Sequence, residues 1–89
     1  MADAGSVNVR VRYFAAARAA AGIAEETVTL PGRGTVADVL RAVSDAHGAA
    51  LGKVLDRCSY LLDEVAVHGT GAPLTDGATL DVLPPFAGG

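Results

Sequence analysis

Few residues in this 89-residue chain could act on a chemical bond. Its single cysteine, Cys58, and its two histidines, His47 and His68, have no spacing that builds a metal site or a nucleophile–base pair. His47 falls where a helix should end, a position that favours a polar or cationic side chain. His68 falls in a turn, and Cys58 reads as a small, partly buried residue ahead of a strand. Gly32-Arg33-Gly34-Thr35 precedes a helical stretch but lacks the G-x-x-x-x-G-K-S/T spacing and the lysine of a phosphate loop. No catalytic set, no metal and no bound cofactor is therefore expected. What remains is the end of the chain, Val82-Leu83-Pro84-Pro85-Phe86-Ala87-Gly88-Gly89. Gly88 and Gly89 lack Cβ atoms and can thread a channel too narrow for other residues. Pro84 and Pro85 cannot donate to a sheet ladder, and their stiffness would hold the tail clear of the body. The Gly89 carboxylate is a poor electrophile by itself. Adenylation by a partner that uses ATP would make it a mixed anhydride, open to a thiol, persulfide or amine. The chemistry would then be the partner's, with this chain as the cargo arm.

Composition narrows the classes further. A net charge of −3, with seven lysines and arginines spread along the chain, argues against nucleic acid, which needs a basic stripe. One cysteine cannot form an internal disulfide. No basic segment followed by an apolar one opens the chain, and no run approaches the length of a membrane span. The expectation is a small cytoplasmic domain. Its apolar fraction of 51% is ample for a core and leaves apolar surface for a partner.

The elements that must position the tail can be read in order. Residues 1–6 are expected to be a flexible leader, 7–83 the folded domain, and 84–89 a protruding tail. Val7, Val9, Val11 and Tyr13 alternate with Asn8, Arg10, Arg12 and Phe14, the period of a half-buried strand. Ala15 to Ala21 reads as a short helix closed by Gly22. Glu25 to Leu30 reads as a second strand with Val28 and Leu30 inward, paired with the first as a hairpin with a wide connection. Thr35 and Asp38 form a capping-box pair ahead of the Val36, Val39, Leu40, Val43 stripe, which predicts the main helix to about His47 and Gly48. Leu51, Val54 and Leu55 suggest a further short helix. Ser59 to Val67 is read as one strand, with Val65 and Val67 beside Leu61 on one face. Ala72-Pro73-Leu74 reads as a brief edge segment and Asp76-Gly77 as a tight turn. Ala78 to Leu83 is the last strand, with Ala78, Leu80 and Val82 inward and Thr79, Asp81 and Leu83 outward, stopped by the prolines.

One helix laid across a mixed four- or five-stranded sheet is the compact arrangement of these elements, an α+β fold. Right-handed crossover places the first and last strands side by side and parallel. That is the β-grasp, or ubiquitin-like, order. Phe14 and Leu83 then end neighbouring strands, both on the solvent face, beside the exit of the tail. Parity makes them a docking pair for a partner; a slip at the strand ends would instead bury one or both under a loop.

With that order and a terminal Gly-Gly, the chain resembles the sulfur-carrier family that includes MoaD and ThiS, and its MoaD branch most. The resemblance runs from Val7 to Gly89. It rests on Tyr13-Phe14-Ala15-Ala16-Ala17-Arg18 with Gly22, on the Asp76-Gly77 turn, and on Leu83-Pro84-Pro85-Phe86-Ala87-Gly88-Gly89. The family often has Glu after the arginine, where Ala19 stands here. The resemblance implies that a MoeB-like enzyme adenylates Gly89 with ATP and that a sulfur donor converts it to a thiocarboxylate. A MoaE-like large subunit of molybdopterin synthase would then receive the tail, and sulfur would pass to cyclic pyranopterin monophosphate in molybdenum cofactor biosynthesis. It also implies partner contacts at Phe14, Leu83, Pro84, Pro85, Phe86 and Ala87, with Gly88 threading and Gly89 carrying the sulfur. Sulfur carriage for thiazole or cysteine biosynthesis, and a ubiquitin-like modifier joined to lysines through Gly89, are the alternatives.

Overall fold

A computed structural model of the protein describes residues 5–85. Alternation makes strand β1, Ser6–Tyr13, bury each of Val7, Val9, Val11 and Tyr13 and expose the residues between them. The strand thus starts one residue earlier than expected and stops one residue before Phe14. The alanine run forms α1, Ala15–Ala21, which closes on Gly22 in the left-handed conformation at φ 82°, its N–H donating to the Arg18 carbonyl. Strand β2, Glu25–Pro31, returns antiparallel to β1.

Helix α2, Val36–His47, starts on the expected capping box. The Asp38 N–H donates to the Thr35 hydroxyl, and the Asp38 carboxylate accepts the Thr35 N–H at 2.9 Å. The box satisfies the Thr35 and Asp38 N–H groups locally, those of Val36 and Ala37 donate to the Ala72 and Thr70 carbonyls, and the carboxylate sits at the positive end of the helix dipole. Gly48, at φ 99°, breaks the helix and starts α3, Ala49–Leu55. Val36, Val39 and Val43 from α2, Leu51 and Leu55 from α3, and Ala17 from α1 pack on the inward valines of β1 and on Leu80 and Val82. All three helices therefore cover one face of the sheet.

The stretch expected as one strand is two. Strand β3, Ser59–Leu62, and strand β4, Val65–Val67, form a hairpin about Asp63 and Glu64, which both have positive φ (50° and 71°). This is the backbone twist of a two-residue hairpin turn, whose usual sequence signal is Asn-Gly. Leu61 consequently pairs with Ala66, while Val65 and Val67 share the opposite face with Leu62 and Tyr60. The ladder to the final strand, β5 (Ala78–Leu83), holds the turn in place: the Asp63 N–H donates to the Thr79 carbonyl, and the Asp63 carboxylate accepts the Thr79 N–H.

The sheet order is β2-β1-β5-β3-β4, with β5 parallel to β1 and antiparallel to β3. This is the expected β-grasp order, with five strands and α2 as its longest helix. The 72–74 segment contributes a single bridge, Thr35 to Pro73, and buries Leu74.

Candidate functional site

Strand β5 lies in the middle of the sheet, hydrogen-bonded on both edges, and ends at Leu83. Pro84 is half-buried and Pro85 exposed. Phe86, Ala87, Gly88 and Gly89 lie outside the described residues, so the site can be built only up to its root. That root is firmly held. Tyr13 is in register with Val82, and the Phe14 N–H donates to the Val82 carbonyl at 3.2 Å. On the other side Ser59 is in register with Leu83.

Phe14 is not a strand residue; it is the N-cap of α1, with φ −123° and ψ 150°. Its extended backbone still continues the alternation of β1, so its side chain stays on the outward face. Ala15, at φ 51°, then turns the chain sharply into α1. Phe14 is 38% exposed and Leu83 half-buried. Neither is fully covered by a loop, and the register places them next to each other at the end of their strands.

The outward face of the sheet carries Arg10 and Arg12 on β1, Thr79 and Asp81 on β5, and Leu61 on β3. Arg10 makes an exposed ion pair with Glu25 at 3.5 Å. Arg12 pairs with Asp81 through two parallel hydrogen bonds, Nε to Oδ1 at 2.6 Å and a terminal nitrogen to Oδ2 at 2.9 Å. These bonds, and then the charge of Asp81, raise the Arg12 pKa above its ordinary value. The Arg12 guanidinium also stands 5.7 Å from the centre of the Phe14 ring. Asp81 is only 5% exposed despite its outward parity. Its parity alone predicts an outward, solvent-exposed side chain. The signal was available: the parallel register sets Asp81 beside Arg12, and an acid beside an arginine at such a position can be covered by it.

The reactive side chains lie elsewhere. The Cys58 thiol is half-buried immediately before β3, donates to the Val54 carbonyl at 3.2 Å, and has its pKa raised by burial. It borders a cavity of about 610 Å³ between α2, α3 and the β3–β4 hairpin, on the helix side of the sheet. His47 is more than a helix-end residue. Its Nε2 lies 2.6 Å from the Glu26 carboxylate, which also accepts the Tyr13 hydroxyl at 2.6 Å, and the two rings meet edge to face. The cluster ties β1, β2 and the end of α2 together. Burial and then this hydrogen bond raise the Tyr13 pKa. His68 is exposed in a turn. Among the described residues no three His, Cys, Asp or Glu side chains gather to hold a metal ion. No helix among them is long and apolar enough to cross a membrane. Among the described residues, the arrangement presents the root of the tail and an adjoining surface.

Comparison with known proteins gives this arrangement a context. The model of the ThiS family matches residues 11–89. A molybdopterin synthase sulfur carrier subunit from Chlamydomonas reinhardtii is 32% identical over 84 residues, covering 93% of this chain and all of that protein. SAMP1 from Haloferax volcanii superposes with a TM-score of 0.81 at 29% identity, over 92% of this chain and 99% of its own. A putative molybdopterin converting factor subunit 1 from Pyrococcus furiosus gives 0.75 at 27% identity, over 90% and 99%. A chain in the complex of subunits 1 and 2 of molybdopterin-converting factor from Helicobacter pylori gives 0.63 at 25% identity, over 93% and 100%.

Proposed function

The chain belongs to the ThiS family, and on that premise we propose that it is a sulfur carrier of the molybdopterin-synthase small-subunit type. The observation that carries the reading is the placement of β5. It runs parallel to β1 in the centre of the sheet and ends, at Leu83, level with the exposed ring of Phe14, so that the tail is rooted there. A tail rooted in two ladders keeps a fixed origin while its last residues enter a partner.

In this reading a MoeB-like enzyme transfers AMP from ATP to the Gly89 carboxylate, releasing pyrophosphate. Hydrosulfide, or a persulfide whose S–S bond a second thiol then cleaves, displaces AMP, and the chain leaves as a Gly89 thiocarboxylate. That group is anionic at neutral pH and nucleophilic through sulfur, as a thiolate is. The large subunit, a MoaE-like protein, takes the body of the carrier at Phe14, Leu83, Pro84 and Pro85 and the tail at Phe86, Ala87, Gly88 and Gly89. Two deliveries to cyclic pyranopterin monophosphate supply the two sulfurs of a dithiolene. The Helicobacter pylori complex of subunits 1 and 2 supports a large-subunit partner. The full-length match to a molybdopterin synthase sulfur carrier subunit supports this pathway over thiazole or cysteine biosynthesis.

A second reading has its own support. The likeness to SAMP1, a small archaeal modifier protein, fits a ubiquitin-like modifier joined to lysines through Gly89. One experiment separates the two: intact mass after incubation with ATP, the adenylating enzyme and a sulfur donor. Exchange of one terminal oxygen for sulfur adds about 16 Da. A ladder of higher-mass conjugates favours the modifier, and an unchanged mass refutes the carrier.

A further inference from the structure

Asp81 is the one charged residue buried among the described residues, and it sits on the sheet face that no helix covers. The ion pair it makes is only half-buried, since the Arg12 side chain is 44% exposed, so solvent screening leaves it a modest stabiliser. Its geometry, however, fixes a direction. Both Asp81 oxygens are used by the Nε edge of the Arg12 guanidinium, which removes the rotation of that plane. The guanidinium carbon stands 5.7 Å from the Phe14 ring centre, within the range of cation–π attraction.

Competing acceptors surround Arg12. Glu25 on β2 is its direct cross-strand neighbour and pairs with Arg10, and the charge of Glu64 from the β3–β4 turn also acts on it. Without Asp81 the guanidinium would be drawn towards β2 or the hairpin and away from the ring. Asp81, in register with Arg12 on β5, holds it on the β5 side of the face, where the guanidinium carbon lies 5.7 Å from the Phe14 ring centre.

We propose that Asp81 and Arg12 are positioning residues for Phe14: the buried carboxylate anchors the guanidinium, which holds the ring in the orientation a partner reads. The inference rests on the reading of Phe14 as a docking residue for the large subunit. It adds that recognition depends on a carboxylate the partner does not touch. A ring ordered before binding loses less rotamer freedom on association, so the pair contributes to affinity through pre-organisation. Arginine is required for this, since a lysine ammonium offers neither the planar fork nor the stacking face.

The test uses the full chain, the molybdopterin-synthase large subunit of the same organism, and the variants Asp81→Asn, Arg12→Lys, Phe14→Leu and Asp81→Asn with Phe14→Leu. In the free protein, the Arg12 side-chain protons should be shifted upfield by the Phe14 ring current in NMR spectra. This shift should vanish in Asp81→Asn as it does in Phe14→Leu. Binding to the large subunit should weaken about two- to five-fold in Asp81→Asn and in Arg12→Lys. The double variant should bind no worse than Phe14→Leu alone. Independent, additive losses, or an Arg12 ring-current shift that survives Asp81→Asn, would overturn the proposal. A wild-type chain that does not bind the large subunit overturns the docking reading itself. The NMR signature then still decides whether the pair orders the ring.

Discussion

Replacing Phe14 with alanine separates what its ring does for the fold from what it does for a partner. A phenylalanine side chain offers about 200 Å² of surface, and 38% of the residue remains exposed here. About 75 Å² is thus available to be covered on docking. At about 25 cal/mol per Å² that is about 2 kcal/mol, or a 20- to 30-fold rise in Kd for the large subunit. The part already covered in the free protein sets an upper bound of about 3 kcal/mol on the loss of folding stability. Titration calorimetry well below the melting temperature reads the first quantity, and thermal melting reads the second. Val65→Ala is the control. Val65 is 66% exposed, more than Phe14, but lies on edge strand β4 and on the opposite side of the sheet. If exposed apolar area alone governed docking, Val65→Ala would weaken binding too. A Kd for Phe14→Ala within about three-fold of wild type, in a protein that stays folded, would refute the reasoning.

Other perturbations test the frame that holds this surface. Glu64→Gly should raise stability by about 1 kcal/mol, because a side chain at φ 71° is strained where glycine is not; an unchanged or lower melting temperature would show that the hairpin turn stores no strain. Thr35→Ala removes the hydroxyl that accepts the Asp38 N–H and should cost about 1 kcal/mol in denaturant unfolding. Leu80→Ala, at a fully buried position of the central strand, should cost about 2–5 kcal/mol and lower the urea midpoint accordingly. Burial raises the Cys58 pKa, so less thiolate is present at any given pH near 8. Alkylation by iodoacetamide should therefore be several-fold slower than in the urea-unfolded chain, and equal rates would contradict the burial.

Much of this protein was settled locally. The alternation of Val7, Val9, Val11 and Tyr13 fixes the inward face of β1 because strand side chains alternate by geometry alone. The Thr35–Asp38 box, the valine stripe and Gly48 bound α2 at both ends, since capping uses groups within one turn. With helix and strand order in hand, crossover handedness leaves one neighbour for β5, which is why the setting of Phe14 and Leu83 could be reached by counting residues.

Contacts between distant segments decided the rest. Asp63-Glu64 carries no hairpin signal and lies in a run that reads as one strand; the chain reverses there because β5 offers Asp63 both a carbonyl and an N–H. His47 looked like a helix-end residue until β2 set Glu26 against it. Asp81 has the parity of an exposed residue, and sequence pattern assigns it to water. It is buried because a strand far away in the chain lays Arg12 across it. Periodicity states which way a side chain points, whereas its environment depends on what the neighbouring strand brings to the same place.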